Sequence, residues 1–244
     1  MLEDICLRCK QRPKRKSAQF CSKRCTEIAA KKAPELLRVP KNHVFYKNVK
    51  RSFGKNWRNK HSRRPTICRI YLITWTAKMR RSFDKYRERI NKKHKLPKNQ
   101  EVKRFRSERR ACRVGDPGHP KCCKRPDCAL CQAIRTGFKS SLENKRRMVL
   151  SGAHNGVRFG GGVYLATSSS KAYEYAKNVN NGSRYRIILA TRVVLGRTQK
   201  LNHNEHFRLA PNKGYDSVEG WVGSPELVVY NVDAVRPAYL ILLK

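Results

Sequence analysis

Ten cysteines in 244 residues fall largely into two groups whose spacing suits a metal ion. The first is Cys6-x2-Cys9-x11-Cys21-x3-Cys25. Two close pairs can each clamp one side of a tetrahedral ion, and four thiolates close the shell of Zn2+. The chemistry expected there is therefore structural, with no open position for a substrate. The loop between the pairs, KQRPKRKSAQF, is polar and basic and builds no core alone, which favours a metal staple over four free thiols. The second group lies between Cys112 and Cys131. Cys128-x2-Cys131 is its firm half, and the other ligands must come from Cys112, His119, Cys122 and Cys123. Side chains of adjacent Cys122 and Cys123 point in different directions, so one of the two is expected to ligate. His119, Cys123, Cys128 and Cys131 make a compact zinc knuckle; Cys112 is the alternative to His119, which reads equally as a loop histidine in DPGHP.

A third chemistry-bearing stretch begins at Phe159 and reads FGGGVYLATSSSKAYEY. The glycine run Gly160–Gly162 permits a sharp turn or a close approach to a ligand. Ser168–Ser170 offer an N-cap for a helix that carries Tyr173 and Tyr175. A tight loop, a strand and a capped helix with packing tyrosines would account for this stretch without any ligand.

The charge is +40 and lopsided: residues 1–125 hold 40 Lys and Arg against 9 Asp and Glu, residues 126–244 hold 17 against 8. Such an excess repels itself unless a polyanion offsets it, so nonspecific DNA or RNA binding is expected beside the plainer reading of a solvated surface. No apolar run approaches the roughly 20 residues of a membrane span, and Met1 opens no signal-peptide pattern. The expectation is a soluble, intracellular and nuclear protein without a membrane partner, whose cysteines stay reduced and hold metal.

These residues need a scaffold, and the hydrophobic pattern supplies one. ICRIYLITW (67–75) is β-branched and aromatic, YRIILATRVVL (185–195) looks buried on both faces, and ELVVY (226–230) and YLILL (239–243) are two further strands. Met79, Phe83, Tyr86 and Ile90 form one helical stripe. Gln132–Leu142 reads as a short helix and turn followed by a basic loop, and 92–103 and 202–220 read as loops. The chain divides into a four-cysteine zinc-binding module (1–33), a basic, aromatic connecting region (34–65) whose aromatics read better as core than as base-stacking groups, and a larger domain (66–244) with the second cysteine group (112–131) inserted.

Taken together, FGGGVYLATSSSKAYEY, RIILATRVVLG, GYDSV and ELVVYNVDAVRPAYLI resemble, in order and spacing, the catalytic domain of the poly(ADP-ribose) polymerase type of ADP-ribosyltransferase. The resemblance runs from about Ile67 to Lys244 and is specific from Phe159 onward. It implies an α+β class with the split two-sheet ADP-ribosyltransferase fold, preceded here by the small zinc module, and NAD+ as the substrate in a cleft between the sheets. Carried over by position, it makes Tyr164 the tyrosine of the family's His-Tyr-Glu triad and Tyr175 its partner in sandwiching nicotinamide. Glu226 becomes the catalytic glutamate, which stabilises positive charge as the glycosidic bond breaks. Gly162 falls at the nicotinamide end of that cleft. The chain departs from the pattern twice. Arg106-Ser107 stands where the family has His-Gly, so Arg106 could reach the NAD+ pyrophosphate and Ser107 still offers its backbone; and Ala172 replaces a serine that bonds the nicotinamide amide. The resemblance implies transfer of ADP-ribose to a protein or nucleic-acid acceptor, with release of nicotinamide. The alternative is a catalytically degenerate relative that binds nucleic acid through its basic half.

Overall fold

The structure is a computed structural model and describes residues 4–16, 18–97, 100–222 and 224–244. In chain order its elements are α1 (Lys23–Lys31), β1 (Leu36–Arg38), α2 (Val44–Lys55), β2 (Ile67–Ile73), α3 (Ala77–Lys93), β3 (Val102–Arg106), α4 (Ala129–Thr136) and α5 (Lys139–Leu150). They continue with β4 (Val163–Ala166), α6 (Ser169–Glu174), β5 (Arg186–Val193), β6 (Thr198–Leu201), β7 (Ser217–Val222), β8 (Ser224–Val229) and β9 (Val235–Leu243). The strands form one sheet in the order β1-β2-β9-β5-β3-β4-β8-β7-β6, antiparallel except for β6 beside β7. The expected division into two sheets is not confirmed, since the ladder is continuous. Its thinnest join is between β3 and β4, which share a single register pair, Phe105 with Ala166.

Both faces of the central strands are buried, and the period of two says what covers each. Tyr71 and Ile73 of β2, Ile187 and Leu189 of β5, and Leu240 and Leu242 of β9 point into one cluster with Phe83 and Tyr86 of α3 and Leu130 and Ile134 of α4. The alternate residues Ile70, Leu72, Ile188, Ala190, Ile241 and Leu243 point into the other, which holds Tyr46, Val49 and Phe53 of α2 together with Cys6 and Cys25. The stripe on α3 therefore packs as its spacing predicts, behind an N-cap in which Thr76 Oγ1 accepts from Met79 N at 3.2 Å. Phe53 is buried as core, while Trp57 is only half-buried against it.

Three segments differ from the sequence reading. Val102 and Lys103 already belong to β3, and β7 begins at Ser217 inside the expected 202–220 loop. The short helix expected near Gln132 is two helices: Gly137 ends α4 in the left-handed region at φ +62°, and α5 then runs through Lys139–Leu150, where a basic loop was expected.

Candidate functional site

A cleft of about 1550 Å³ opens beside the β3–β4 join. Arg106 and Ser107 reach it from the end of β3, Tyr164 from β4, Ala172 from α6, Tyr175 from the cap of that helix and Glu226 from β8. Six positions singled out from sequence, spread over 120 residues, thus line one cavity. Gly162 is not among them. It sits behind the wall, where an added Cβ would meet Val228 Cγ1 at 2.2 Å, so the position needs glycine for the approach of β4 to β8.

The local reasons are specific. Ser168 caps α6 through Lys171 N, Ser169 Oγ donates to Phe53 O at 2.7 Å, and Ser170 Oγ accepts from Arg58 N at 3.1 Å. The serine run therefore pins α6 to the 53–58 segment. Of the two tyrosines, Tyr173 packs on Trp57, with ring centroids 5.8 Å apart, whereas Tyr175 is 62 % exposed at the cleft. The Tyr164 hydroxyl donates to Gly160 O at 2.8 Å and accepts from Phe159 N at 2.9 Å. That bonding holds the ring in place, and burial pushes its phenol pKa up, so it stays neutral. Gly160 makes the turn possible: its φ is +78° and a Cβ would fall 1.8 Å from Arg208 O.

Glu226 pairs across the sheet with Ala166 on one side and Gly220 on the other. Its carboxylate receives Lys171 Nζ at 3.0 Å, with 19 % of the side chain exposed. Lys171 was not singled out from sequence; its position three residues past the cap is the only signal, and its aim depends on how α6 packs. Lys145 of α5 was missed too. Its Nζ lies 5.4 Å from the centre of the Tyr164 ring and donates to Gly156 O, and burial, then the charge of Arg106, hold its pKa below the ordinary lysine range.

Arg106 is 8 % exposed and fully engaged. Nε and Nη2 both lie 2.7 Å from Glu108 Oε1, Nη1 donates to Tyr164 O, and the guanidinium stacks over Phe138. Ser107 Oγ donates to Ala172 O at 2.5 Å, linking the two positions at which the chain departs from the family pattern. Because Glu108 also accepts from Ser141 Oγ and is itself nearly buried, removing it strands the Arg106 charge. Glu108→Ala is expected to lower the unfolding free energy by about 3 kcal/mol. Urea denaturation checks this, and a loss under about 1 kcal/mol would mean the pair does not hold the site together.

Two sets of four thiols are gathered elsewhere, each with its sulfurs within 4.8 Å of one another: Cys6, Cys9, Cys21 and Cys25, and Cys112, Cys123, Cys128 and Cys131. A tetrahedral Zn–S shell at about 2.3 Å puts sulfurs about 3.8 Å apart. The Cys9–Cys21, Cys21–Cys25, Cys112–Cys131 and Cys112–Cys128 separations of 3.6 Å fit it. In the first set, backbone N–H groups of Gln11 and Arg12 bond the Cys9 sulfur and lower its pKa to about 6, whereas desolvation pushes Cys21 up to about 12. In the second set Cys112 takes the place expected for His119. The His119 ring is exposed and bonded to Pro117 O at 3.0 Å. Arg110, donating to Val114 O and Asp116, folds the 110–116 turn so that Cys112 faces inward.

Compared with known protein families, residues 138–224 match the family model of the Poly(ADP-ribose) polymerase catalytic domain. That span holds α5, Tyr164, α6 and Tyr175 and stops two residues short of Glu226, while Arg106 precedes it. No curated protein matches the chain.

Proposed function

On the premise that this chain carries a PARP-type catalytic domain, an ADP-ribosyltransferase at family level with NAD+ as its substrate, we propose that it moves ADP-ribose from NAD+ to a protein or nucleic-acid acceptor and releases nicotinamide. The observation that carries this reading is the convergence of Tyr164, Tyr175 and Glu226 on one cleft, with Glu226 held by Lys171. In it, the two tyrosine rings flank the nicotinamide and orient the leaving group. The Glu226 carboxylate faces the ribose, where positive charge grows as the C–N bond lengthens, and stabilises that charge electrostatically. Lys145 puts a cation beside the ring of Tyr164, which disfavours the cationic nicotinamide of bound NAD+ more than the neutral product. Arg106 stands where the family histidine would donate to a ribose hydroxyl, with its guanidinium held by Glu108 and the carbonyl of Tyr164.

The test is incubation of the zinc-loaded protein with NAD+ labelled in the ADP-ribose part, followed by release of free nicotinamide and by label on protein and nucleic acid. Nicotinamide release in the wild type, with label transferred, is the expected result. Absence of both release and transfer would refute turnover. A second reading, binding without turnover, has one observation in its favour: Arg106 is committed to Glu108 rather than open to a ligand.

We assign the two thiol sets to structural Zn2+, and the net charge of the 1–125 half to nonspecific nucleic-acid binding in the nucleus. Affinity for a short duplex is expected to fall at least about 100-fold between about 50 and 200 mM salt. A salt titration by fluorescence anisotropy reads it, and affinity independent of salt would contradict an electrostatic footprint.

A further inference from the structure

A second recess, of about 550 Å³, lies where the first four-cysteine module meets α3, and shares no residue with the NAD+ cleft. It is lined by Arg15 and Gln19 of the module's loop, by Arg80 and Arg87 of α3, and by Glu101 and Arg192. The carboxylates there are already matched. Glu101 is bridged by Arg192 through Nε and Nη2, at 2.5 and 2.6 Å, and by Arg87 Nη1 at 2.5 Å; Arg87 also holds Asp84 at 2.9 Å. Arg80 is left over. One of its Nη groups donates to Gln19 Oε1 at 3.2 Å, its Nε is buried without a hydrogen-bond partner among the described residues, and its guanidinium lies against the Trp75 ring. Arg15, exposed above it, has no carboxylate within ion-pair distance among the described residues. Guanidinium cannot shed its proton, so the recess is lined by four arginine charges, Arg15, Arg80, Arg87 and Arg192, against the two carboxylates of Asp84 and Glu101.

Tetrahedral oxyanions fit such a fork of N–H donors bidentately, and a dianion matches the charge. We infer that this recess binds a phosphate group, either inorganic phosphate or the terminal monoester of a nucleic acid, gripped between Arg80 of the body and Arg15 of the zinc module.

The zinc-loaded 244-residue chain is titrated with one short oligonucleotide carrying either a 5′-phosphate or a 5′-hydroxyl, at salt high enough to suppress backbone contacts, and separately with inorganic phosphate. The phosphorylated strand is expected to bind about tenfold tighter or more, as charge-assisted bonds to one group imply. Arg80→Ala should return that ratio to about one without weakening the hydroxyl strand. Should that variant fail to fold, Arg15→Gln on the exposed loop carries the same test. Inorganic phosphate bound with the same dependence on Arg80 or Arg15, and equal binding of both strands, would support the site and assign it to free phosphate. Equal strand affinities together with phosphate binding that ignores both arginines would overturn it.

Discussion

Glu226→Gln is expected to cut nicotinamide release from NAD+ by at least about 100-fold while moving the dissociation constant of NAD+ only a few-fold. The replacement keeps the size of the side chain and an oxygen for Lys171 Nζ, which now sits 3.0 Å from the carboxylate, so β8 and α6 stay in place. What would disappear, on the proposed reaction, is the full negative charge facing the ribose as the bond to nicotinamide breaks. An interaction stronger in the transition state than in the ground state affects kcat and spares binding, which is why the split between the two constants is the diagnostic. Calorimetry with intact NAD+ and a nicotinamide-release assay supply both numbers. A variant that turns over at near the wild-type rate would remove Glu226 from the chemistry, whereas one that loses affinity and rate in proportion would make it a binding group only.

Loss of the second thiol set is expected to be the most damaging single change to stability. Cys128 and Cys131 are fully buried in the same cluster as Phe83, Leu189 and Leu240, so a metal bound there would crosslink the core that backs the central strands. Structural Zn2+ in small sites contributes on the order of 10 kcal/mol of apparent free energy, comparable to the whole stability of a domain. Cys131→Ser should therefore lower the zinc content from two ions to one per chain and abolish cooperative unfolding. Cys25→Ser should also lose one ion, but Cys25 belongs to the α2-side cluster, apart from Cys128 and Cys131, and the body of the sheet should still melt as a unit. Metal analysis and a thermal melt with and without chelator read both. Unchanged zinc in either variant would show that its cysteine is not a ligand.

Much of this was written in the order of residues, and some was not. The strands at 67–75, 185–195 and 239–243 were legible because both of their faces are apolar, and α3 because its stripe has a helical period. The reach of α5 was not: SSLENKRRMVL is mostly polar, and only Leu142 and Val149 among its residues are buried. His119 and Cys112 competed for one metal position, and spacing could not separate them. The choice is made by Arg110, a buried side chain whose bonds to Val114, Asp116, Asn178 and Tyr185 depend on tertiary contacts up to 75 residues away. In the cleft, resemblance located Tyr164, Tyr175 and Glu226, but Lys171 and Lys145 became visible only once α6 and α5 were packed beside them. The alternative reading of the aromatic pair is resolved by helical geometry: two residues apart, Tyr173 turns inward and Tyr175 outward.

Among the described residues only Phe105 and Ala166 join β3 to β4 in register, and that sparse contact divides the lining of the cleft. Arg106, Ser107 and Glu108 ride on the five strands to one side; Tyr164 and Glu226 ride on the four to the other. With so little backbone pairing to resist a change of angle, two plates meeting at a crease is the deformation this sheet would resist least, and the side-chain bond from Arg106 to the carbonyl of Tyr164 spans that crease. A ligand gripped by both plates would tighten the crease, and on the proposed function Arg106 would set how far apart the groups of the two plates stand as well as what they touch.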